Sequence, residues 1–176
     1  MTTFRLKNIS MGKESFGILS HALERRLGER CCRLGDSADH TFTLSVDEKL
    51  GNDRYTIVPD GNTVAFTAAN DCALHAALGR YLVDSRFDGK GAFTPSAKKV
   101  DHTPARPLRG MYFATHFHNF YHNAPVEEVY EVIEDLALRG CNALLVWYDM
   151  HHFRSVDQPE SVELITRLKA FMRYAK

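Results

Sequence analysis

The sequence has no run of about 18 apolar residues, which is the length that a membrane-spanning helix needs. Its first ten residues, Met1 to Ser10, also lack the apolar core of a secretory signal peptide. These absences predict a protein with no membrane partner. A cytoplasmic location is therefore expected, or a secreted or periplasmic one if a leader has been removed.

The formal net charge is zero, because 22 Lys and Arg residues balance 22 Asp and Glu residues in a chain of 176. A balanced chain offers no basic stripe, so no nucleic-acid partner is expected. The cysteines do not have the spacing of a zinc site; they are Cys31, Cys32, Cys72 and Cys141. We expect them to be small buried thiols, and we expect no cofactor.

The first hundred residues predict a small α+β domain. A helix over 14–27 has apolar residues at helical spacing and a stop at Gly28. Two short strands flank the turn residues 59–62, which predicts a hairpin, and Asn70 or Asp71 caps a second helix. The β-α-β-β-α order predicts helices on one face of a largely antiparallel sheet. A structural or docking role is expected for this domain, residues 1–100, because it contains no nucleophile, ligand pair or phosphate loop.

The pattern changes after residue 106. Residues 84–106 hold glycines and prolines without periodicity, which indicates a linker. Residues 110–113 and 142–147 are continuous apolar runs, typical of strands covered on both faces, and helices open at Pro125 and Pro159. The acidic residues of the first of these helices are expected mostly to face outward; they are Glu127, Glu128, Glu131 and Glu134.

This β-α-β-α order over residues 101–176 predicts the first two βα units of an incomplete TIM barrel. A closed eight-stranded barrel needs at least ~200 residues. Either the chain is a fragment, or a partner covers its open strand edge, for example in a homo-oligomer.

Polar residues follow both predicted barrel strands. In parallel α/β folds chemistry gathers at the C-terminal strand ends. For the first strand this rule selects His116 and His118, and for the second it selects residues 147–152, which include Trp147 and Asp149. Arg109 stands at the beginning of its strand, so it reaches a ligand only if the strand is short or its side chain lies along the barrel interior.

These residues carry a resemblance. The stretch 109–113, then His118, then 125–129, and finally Asn142 and Trp147 resemble the opening of the catalytic barrel of family 20 glycoside hydrolases, the β-N-acetylhexosaminidases. The preceding domain is similar to the small domain before that barrel, which also occurs in α-glucuronidases. The resemblance implies a hydrolase that acts on glycosidic bonds of polysaccharides or glycoconjugates, with carbohydrate as its partner.

The resemblance also implies roles for residues. Arg109 matches an Arg that binds sugar hydroxyls, and a guanidinium fork suits vicinal hydroxyls. His118 matches a His near the end of the first strand. Trp147 either stacks on a sugar face or packs in a barrel core. Asp149 either binds a hydroxyl or caps the following loop.

The family's catalytic machinery is expected to lie outside this chain. Its Asp-Glu pair follows the fourth barrel strand, beyond Lys176, and the acetamido group of the substrate takes part in the reaction. The resemblance therefore implies that this chain alone has no glycosidase activity. The chain also departs from the family pattern, since Ala114 replaces an Asp, Phe117 replaces an Arg and no His follows Trp147.

Two other functions stay open. His116 and His118 also resemble the opening metal pair of amidohydrolase-type enzymes, because alternate residues of an extended segment face the same way. The chain is alternatively a non-catalytic carbohydrate-binding or assembly module.

Overall fold

The computed structural model describes residues 1–115 and 119–176. The chain divides into two compact units. The first comprises Met1–Pro107 with Ala137–Gly140, and the second comprises Leu108–Leu136 and Cys141–Lys176. No helix in the described part of the chain is both long enough and apolar enough to cross a membrane.

The described residues form ten strands and five α-helices, besides two short 3₁₀ turns. The strands are β1 Thr3–Asn8, β2 Arg33–Leu34, β3 His40–Val46, β4 Tyr55–Asp60, β5 Thr63–Ala68, β6 Arg86–Phe87, β7 Phe93–Thr94, β8 Val100–His102, β9 Gly110–Phe113 and β10 Ala143–Val146. The helices are α1 Lys13–Gly28, α2 Asp71–Asp84, α3 Phe120–Asn123, α4 Val126–Leu138 and α5 Pro159–Ala175.

The first unit is built on a six-stranded sheet in the order β2-β1-β3-β5-β4-β8. The β1–β2, β1–β3 and β3–β5 pairs are parallel, and only the pairs of β4 are antiparallel. The expectation of a largely antiparallel sheet is therefore wrong. Helix α1 returns the chain so that β3 runs parallel to β1, and β5 rather than β4 pairs with β3. Strand order in space depends on these tertiary pairings, which strand patterns along the chain do not reveal.

Local signals in the first unit are confirmed. The β4–β5 hairpin closes through Gly61 and Asn62, and Gly61 has the positive φ of 54° that such short loops require. Asn70, not Asp71, caps α2, because its side-chain oxygen accepts a hydrogen bond from the Ala73 amide at 2.9 Å. Helix α1 continues through Gly28, and Cys31 takes the left-handed turn after it, with φ 55°.

The expected linker is partly structured. Its β6–β7 hairpin brings Phe87 and Phe93 against the first core, and the expected boundary at residue 100 falls at the start of β8. The expectation of buried thiols holds for Cys32 and is wrong for Cys31, which is exposed at the helix end. Cys72 and Cys141 are half-buried.

The second unit contains two parallel strands joined through α4. Register runs from Gly110 opposite Ala143 to Phe113 opposite Val146. Gly140 ends α4 with φ 86°, and the amides of Gly140 and Cys141 bond the carbonyls of Ala137 and Leu136. One core joins the strands to the helices; its fully or nearly buried members are Phe113, Val129, Ile133, Leu164, Leu168 and Phe171.

One acidic residue of α4 faces inward, contrary to expectation. Glu134 is buried, and its carboxylate accepts a hydrogen bond of 2.6 Å from the Tyr174 hydroxyl of α5. The Tyr174 ring stacks on Tyr130 with centroids 3.9 Å apart. A buried carboxylate needs such a donor, and here the donor lies 40 residues away in the sequence.

Candidate functional site

The C-terminal ends of β9 and β10 lie side by side because the two strands are parallel and in register. Thr115 follows β9 and is fully buried. Its hydroxyl donates a hydrogen bond to the carbonyl of Trp147, just beyond β10. This bond joins the segments that follow both strands, at the edge where ligands bind in parallel α/β sheets.

The described residues after β9, 114–115 and 119–124, are held by several polar contacts. The Asn119 amide nitrogen donates to the Ala114 carbonyl, and its oxygen accepts from the Tyr121 amide, each at 3.1 Å. His122 Nδ1 lies 3.0 Å from the carbonyl oxygen of Thr115, so in this contact that nitrogen carries the proton.

Arg167 of α5 anchors the far side of the same loop. Its Nε donates to the Tyr121 carbonyl at 3.0 Å, and its terminal nitrogen donates to the Ala124 carbonyl. Burial lowers the pKa of this guanidinium although Glu127 and Glu163 act in the other direction. Arginine remains charged in proteins, so these are charge-assisted bonds. Sequence reasoning missed Thr115, Asn119 and Arg167. Of these, only Asn119 could have been predicted from the sequence, because asparagine is common at the start of a helix.

One face of the β9–β10 sheet is open. Tyr112 and Leu145 are paired in register and are 40% and 61% exposed, and Trp147, two residues beyond Leu145, is 48% exposed. Alternation places these residues on the side opposite Val146. Among the described residues, α4 and α5 cover only the Phe113 side of β9 and β10. The expectation that these strands are covered on both faces is therefore wrong.

Asp149 caps the turn that follows β10. The residue is 4% exposed, and one carboxylate oxygen accepts from the His151 amide at 3.1 Å while the other accepts from His152 Nδ1. The short 3₁₀ turn Met150–His152 begins directly after it. Of the two roles considered for Asp149, loop capping is the one visible in these contacts.

Electrostatics favour the ionised form of Asp149. Burial opposes ionisation, but the hydrogen bonds from His152 and from the His151 amide outweigh it, so the pKa of Asp149 lies below its ordinary value of 3.8. The side chain therefore remains a carboxylate at neutral pH.

A pH titration is expected to detect the protonation of the Asp149 carboxylate through its hydrogen bond from the His151 amide. Because the folded pKa is depressed, the stability that Asp149 contributes is present above about pH 4 and is lost as pH falls through the folded pKa. The His151 amide resonance, followed by NMR from pH 7 to pH 2, should shift with a midpoint below 3.8. Asp149→Asn is expected to abolish this step; an unchanged titration in that variant would contradict the assignment.

Arg109 lies at the other end of β9. Its amide donates to Asn142 Oδ1, and its carbonyl accepts from the Asn142 amide, both at 2.9 Å. Ala114 is the fifth residue after Arg109, roughly 16 Å away along an extended strand. The Arg109 backbone thus stands at the opposite end of the strand pair from Trp147 and Asp149, which follow β10.

His116 and His118, the two histidines of the metal hypothesis, lie outside the described residues. The sugar contact expected of His118 therefore falls outside them too. Within the described ranges, no group of three or more His, Cys, Asp or Glu side chains is arranged to hold a metal ion.

Comparison with solved structures identifies the fold. A GH138 enzyme targeting pectin rhamnogalacturonan II is 13% identical, with a TM-score of 0.66 over 98% of this chain and 29% of the enzyme. Flavobacterium johnsoniae chitobiase, a GH20 protein, is 17% identical, with a TM-score of 0.61 over 98% of this chain and 30% of its own. The GH20 β-N-acetylhexosaminidase of Streptomyces coelicolor A3(2) is 18% identical, with a TM-score of 0.58 over 82% and 30%.

These likenesses confirm the resemblance noted in the sequence at the level of fold. The chain has the fold of the N-terminal region of GH20 hexosaminidases and of a GH138 enzyme, and it spans about 30% of the length of these three proteins. No protein-family model matches the sequence, and no curated protein matches it either.

Proposed function

We propose that this chain is the N-terminal portion of a glycoside hydrolase acting on polysaccharide or glycoconjugate bonds. In this proposal, the first unit is the small α+β domain that precedes the barrel, and the second provides the first two βα units of an incomplete TIM barrel. The observation that supports it best is the likeness to glycoside hydrolases over 98% of the chain. The open face of β9–β10 agrees with it, since this face would line the barrel interior.

The sugar-contacting residues in this proposal are those at the strand ends together with Arg109 and His118. Trp147 offers a half-exposed indole, and the C–H face of a pyranose is apolar enough to stack on it. Asp149 stands two residues further along the same loop. The exposed edge of the β9–β10 sheet needs further strands or a second copy to cover it, and covering by a homo-oligomer remains part of the proposal.

Hydrolysis by the chain alone is not part of this proposal. Glycosidases generally use two carboxyl groups placed across the scissile bond, or one beside a substrate group that takes part. Residues 114–125 and 147–156, which follow the two strands, contain a single carboxylate, Asp149. That carboxylate is buried and occupied by the turn it caps.

The test exploits the single tryptophan of the sequence, Trp147. The purified chain is expected to give no turnover of a nitrophenyl glycoside panel. Titration with methyl glycosides should change its fluorescence until the site is saturated. The signal reports on the proposed site, because Trp147 is the source of all indole emission.

Trp147→Ala should weaken binding about tenfold, equivalent to ~1.4 kcal/mol, measured by saturation-transfer NMR since this variant has no indole. The matched control Ile9→Ala removes an exposed apolar side chain from the first unit and should leave affinity unchanged. Turnover by the chain would contradict its expected inactivity. The absence of any fluorescence response would contradict sugar binding. Binding without hydrolysis by the product of the complete reading frame would instead indicate a non-catalytic module.

A further inference from the structure

Two adjacent cysteines, Cys31 and Cys32, follow α1 on a well-fixed backbone. The Cys31 amide donates to the Gly28 carbonyl at 3.0 Å. The Cys32 amide donates to the Leu27 carbonyl at 2.9 Å. Cys31 is exposed and has φ 55°, a left-handed conformation that is costly for most L residues, whereas Cys32 is only 3% exposed. The pair therefore presents one accessible thiol beside one buried thiol.

Both sulfur atoms lie against the turn of the β6–β7 hairpin. The Cys31 thiol donates to the Gly89 carbonyl at 3.6 Å. Cys32 Sγ lies 3.8 Å from the Gly91 carbonyl oxygen and 3.5 Å from that of Arg30. Adjacent side chains of an extended strand point to opposite sides, but here both thiols approach one turn. Thiols are weak donors, so a ligand can displace these contacts at small cost.

The hairpin turn behind the thiols is firmly held. A carboxylate oxygen of Asp88 accepts hydrogen bonds from the amides of Lys90 and Ala92, at 2.7 and 2.9 Å. The Gly91 carbonyl accepts from both the amide and the hydroxyl of Thr2. Since the surroundings of the two thiols are already ordered, a ligand that binds both of them has little further conformational entropy to remove.

A direct disulfide between the two sulfur atoms is disfavoured by the backbone. Disulfides usually join residues whose Cα atoms lie about 4.4–6.8 Å apart. Neighbouring residues have their Cα atoms only about 3.8 Å apart. An atom placed between the sulfur atoms relieves this strain because it enlarges the ring. The pair therefore suits a bridging atom better than an S–S bond.

The protonation of the thiols decides which bridging atom fits. Metal cations bind thiolates, so both thiols would have to lose their protons. Burial, and secondly the neighbouring Cys31, raises the pKa of the Cys32 thiol above its ordinary value of 9.0, which keeps it protonated at neutral pH. Trivalent arsenic instead condenses with two neutral thiols and leaves a neutral product. A neutral product suits a position where one of the two sulfur atoms is buried.

We propose that Cys31 and Cys32 form a dithiol site for trivalent arsenicals. With phenylarsine oxide, two S–As bonds form and the bond between arsenic and oxygen breaks. The oxygen leaves as water with the two thiol protons, and arsenic stays trivalent, so no oxidant or reductant takes part. Cys31 reacts first because it is exposed, and Cys32 then closes the ring. The site belongs to the first unit and is independent of the proposed sugar binding.

The experiment adds phenylarsine oxide to the reduced, unaltered chain under native conditions. Intact-mass spectrometry counts the bound arsenic, and a thiol-specific dye counts the free thiols. One arsenical per chain is expected, with the loss of two of the four thiols. Cys31→Ser and Cys32→Ser should each weaken binding at least about a hundredfold, because the second S–As bond then cannot form within the same chain.

The matched controls are Cys72→Ser and Cys141→Ser, which remove the other two thiols and should bind within about twofold of the unaltered chain. A competition arm tests the ring itself. The dithiol dimercaptopropanol should release the arsenical, whereas the same concentration of the monothiol mercaptoethanol should not, because only a dithiol replaces both S–As bonds at once.

The outcomes are distinct. Undiminished binding by Cys31→Ser overturns the inference, and so does an adduct that is lost in Cys72→Ser or Cys141→Ser. The loss of two thiols without a gain of arsenic reveals a disulfide and also overturns it, as does a chain that takes up no arsenical. Circular dichroism checks the fold of each variant. If Cys32→Ser unfolds, Cys31→Ser decides the result, because its side chain is exposed.

Discussion

Phe113→Ala is expected to lower the free energy of unfolding of the second unit by about 3–5 kcal/mol. Phe113 ends β9 and is fully buried. Its ring stacks on Tyr121 with centroids 4.0 Å apart and meets the edge of Phe171 at 6.4 Å. Removing it leaves a cavity among aromatic rings whose backbones are held by sheet and helix hydrogen bonds, so the site can collapse only partly.

Phe113→Ala should also disturb the packing of the residues that follow β9. Tyr121 belongs to the loop that Asn119 and Arg167 hold, and Thr115 stands two residues beyond Phe113. Urea unfolding followed by Trp147 emission should show a lower midpoint with a similar slope.

Leu145→Ala provides the control for Phe113→Ala, because Leu145 lies on the open face of the neighbouring strand and is 61% exposed. Its expected cost is below about 1 kcal/mol. Equal losses in the two variants would show that the open face is covered in solution, and would contradict the exposure of Leu145.

Gly91→Ala is expected to destabilise the first unit by about 2–4 kcal/mol. Gly91 has φ 97°, which L residues rarely adopt, and an added Cβ would lie 2.7 Å from the Cys31 carbonyl oxygen. The backbone has little freedom to move aside. The Gly91 carbonyl accepts from both the amide and the hydroxyl of Thr2, at 2.9 and 2.8 Å.

Gly61→Ala is the matched comparison for Gly91→Ala. Gly61 also has a positive φ, 54°, but nothing lies within 4 Å of an added Cβ. This change should cost only about 1–2 kcal/mol, the penalty of a left-handed alanine. Thermal unfolding followed by far-UV circular dichroism gives both values. A Gly91 variant no less stable than the Gly61 variant would refute the close approach to Cys31.

Much of the local structure was predictable because its causes are local. The Gly61 hairpin, the amide cap at Asn70 and the left-handed end of α4 at Gly140 each depend on a few neighbouring residues. The same holds for placing Trp147 and Asp149 after a strand, since parallel strands deliver their following residues to one edge.

Other features depend on partners far away in the chain. Strand β3 pairs with β5 although β4 comes between them in the sequence, and strand patterns do not predict this pairing. Glu134 has the pattern of an outward-facing helix residue, yet Tyr174 makes its burial favourable. Tyr112 and Leu145 read as core residues, and their exposure reflects which faces α4 and α5 cover.

The sequence by itself determined the two-part organisation, the strand–helix alternation of the second unit and the polar residues that follow its strands. These depend on periodicity and turn chemistry within a few residues. Only the tertiary structure decided that Asp149 is buried, that Trp147 is tied to Thr115 through its carbonyl, and that the Arg109 backbone pairs with Asn142. Register and packing set those distances, because they bring together groups that no local pattern links.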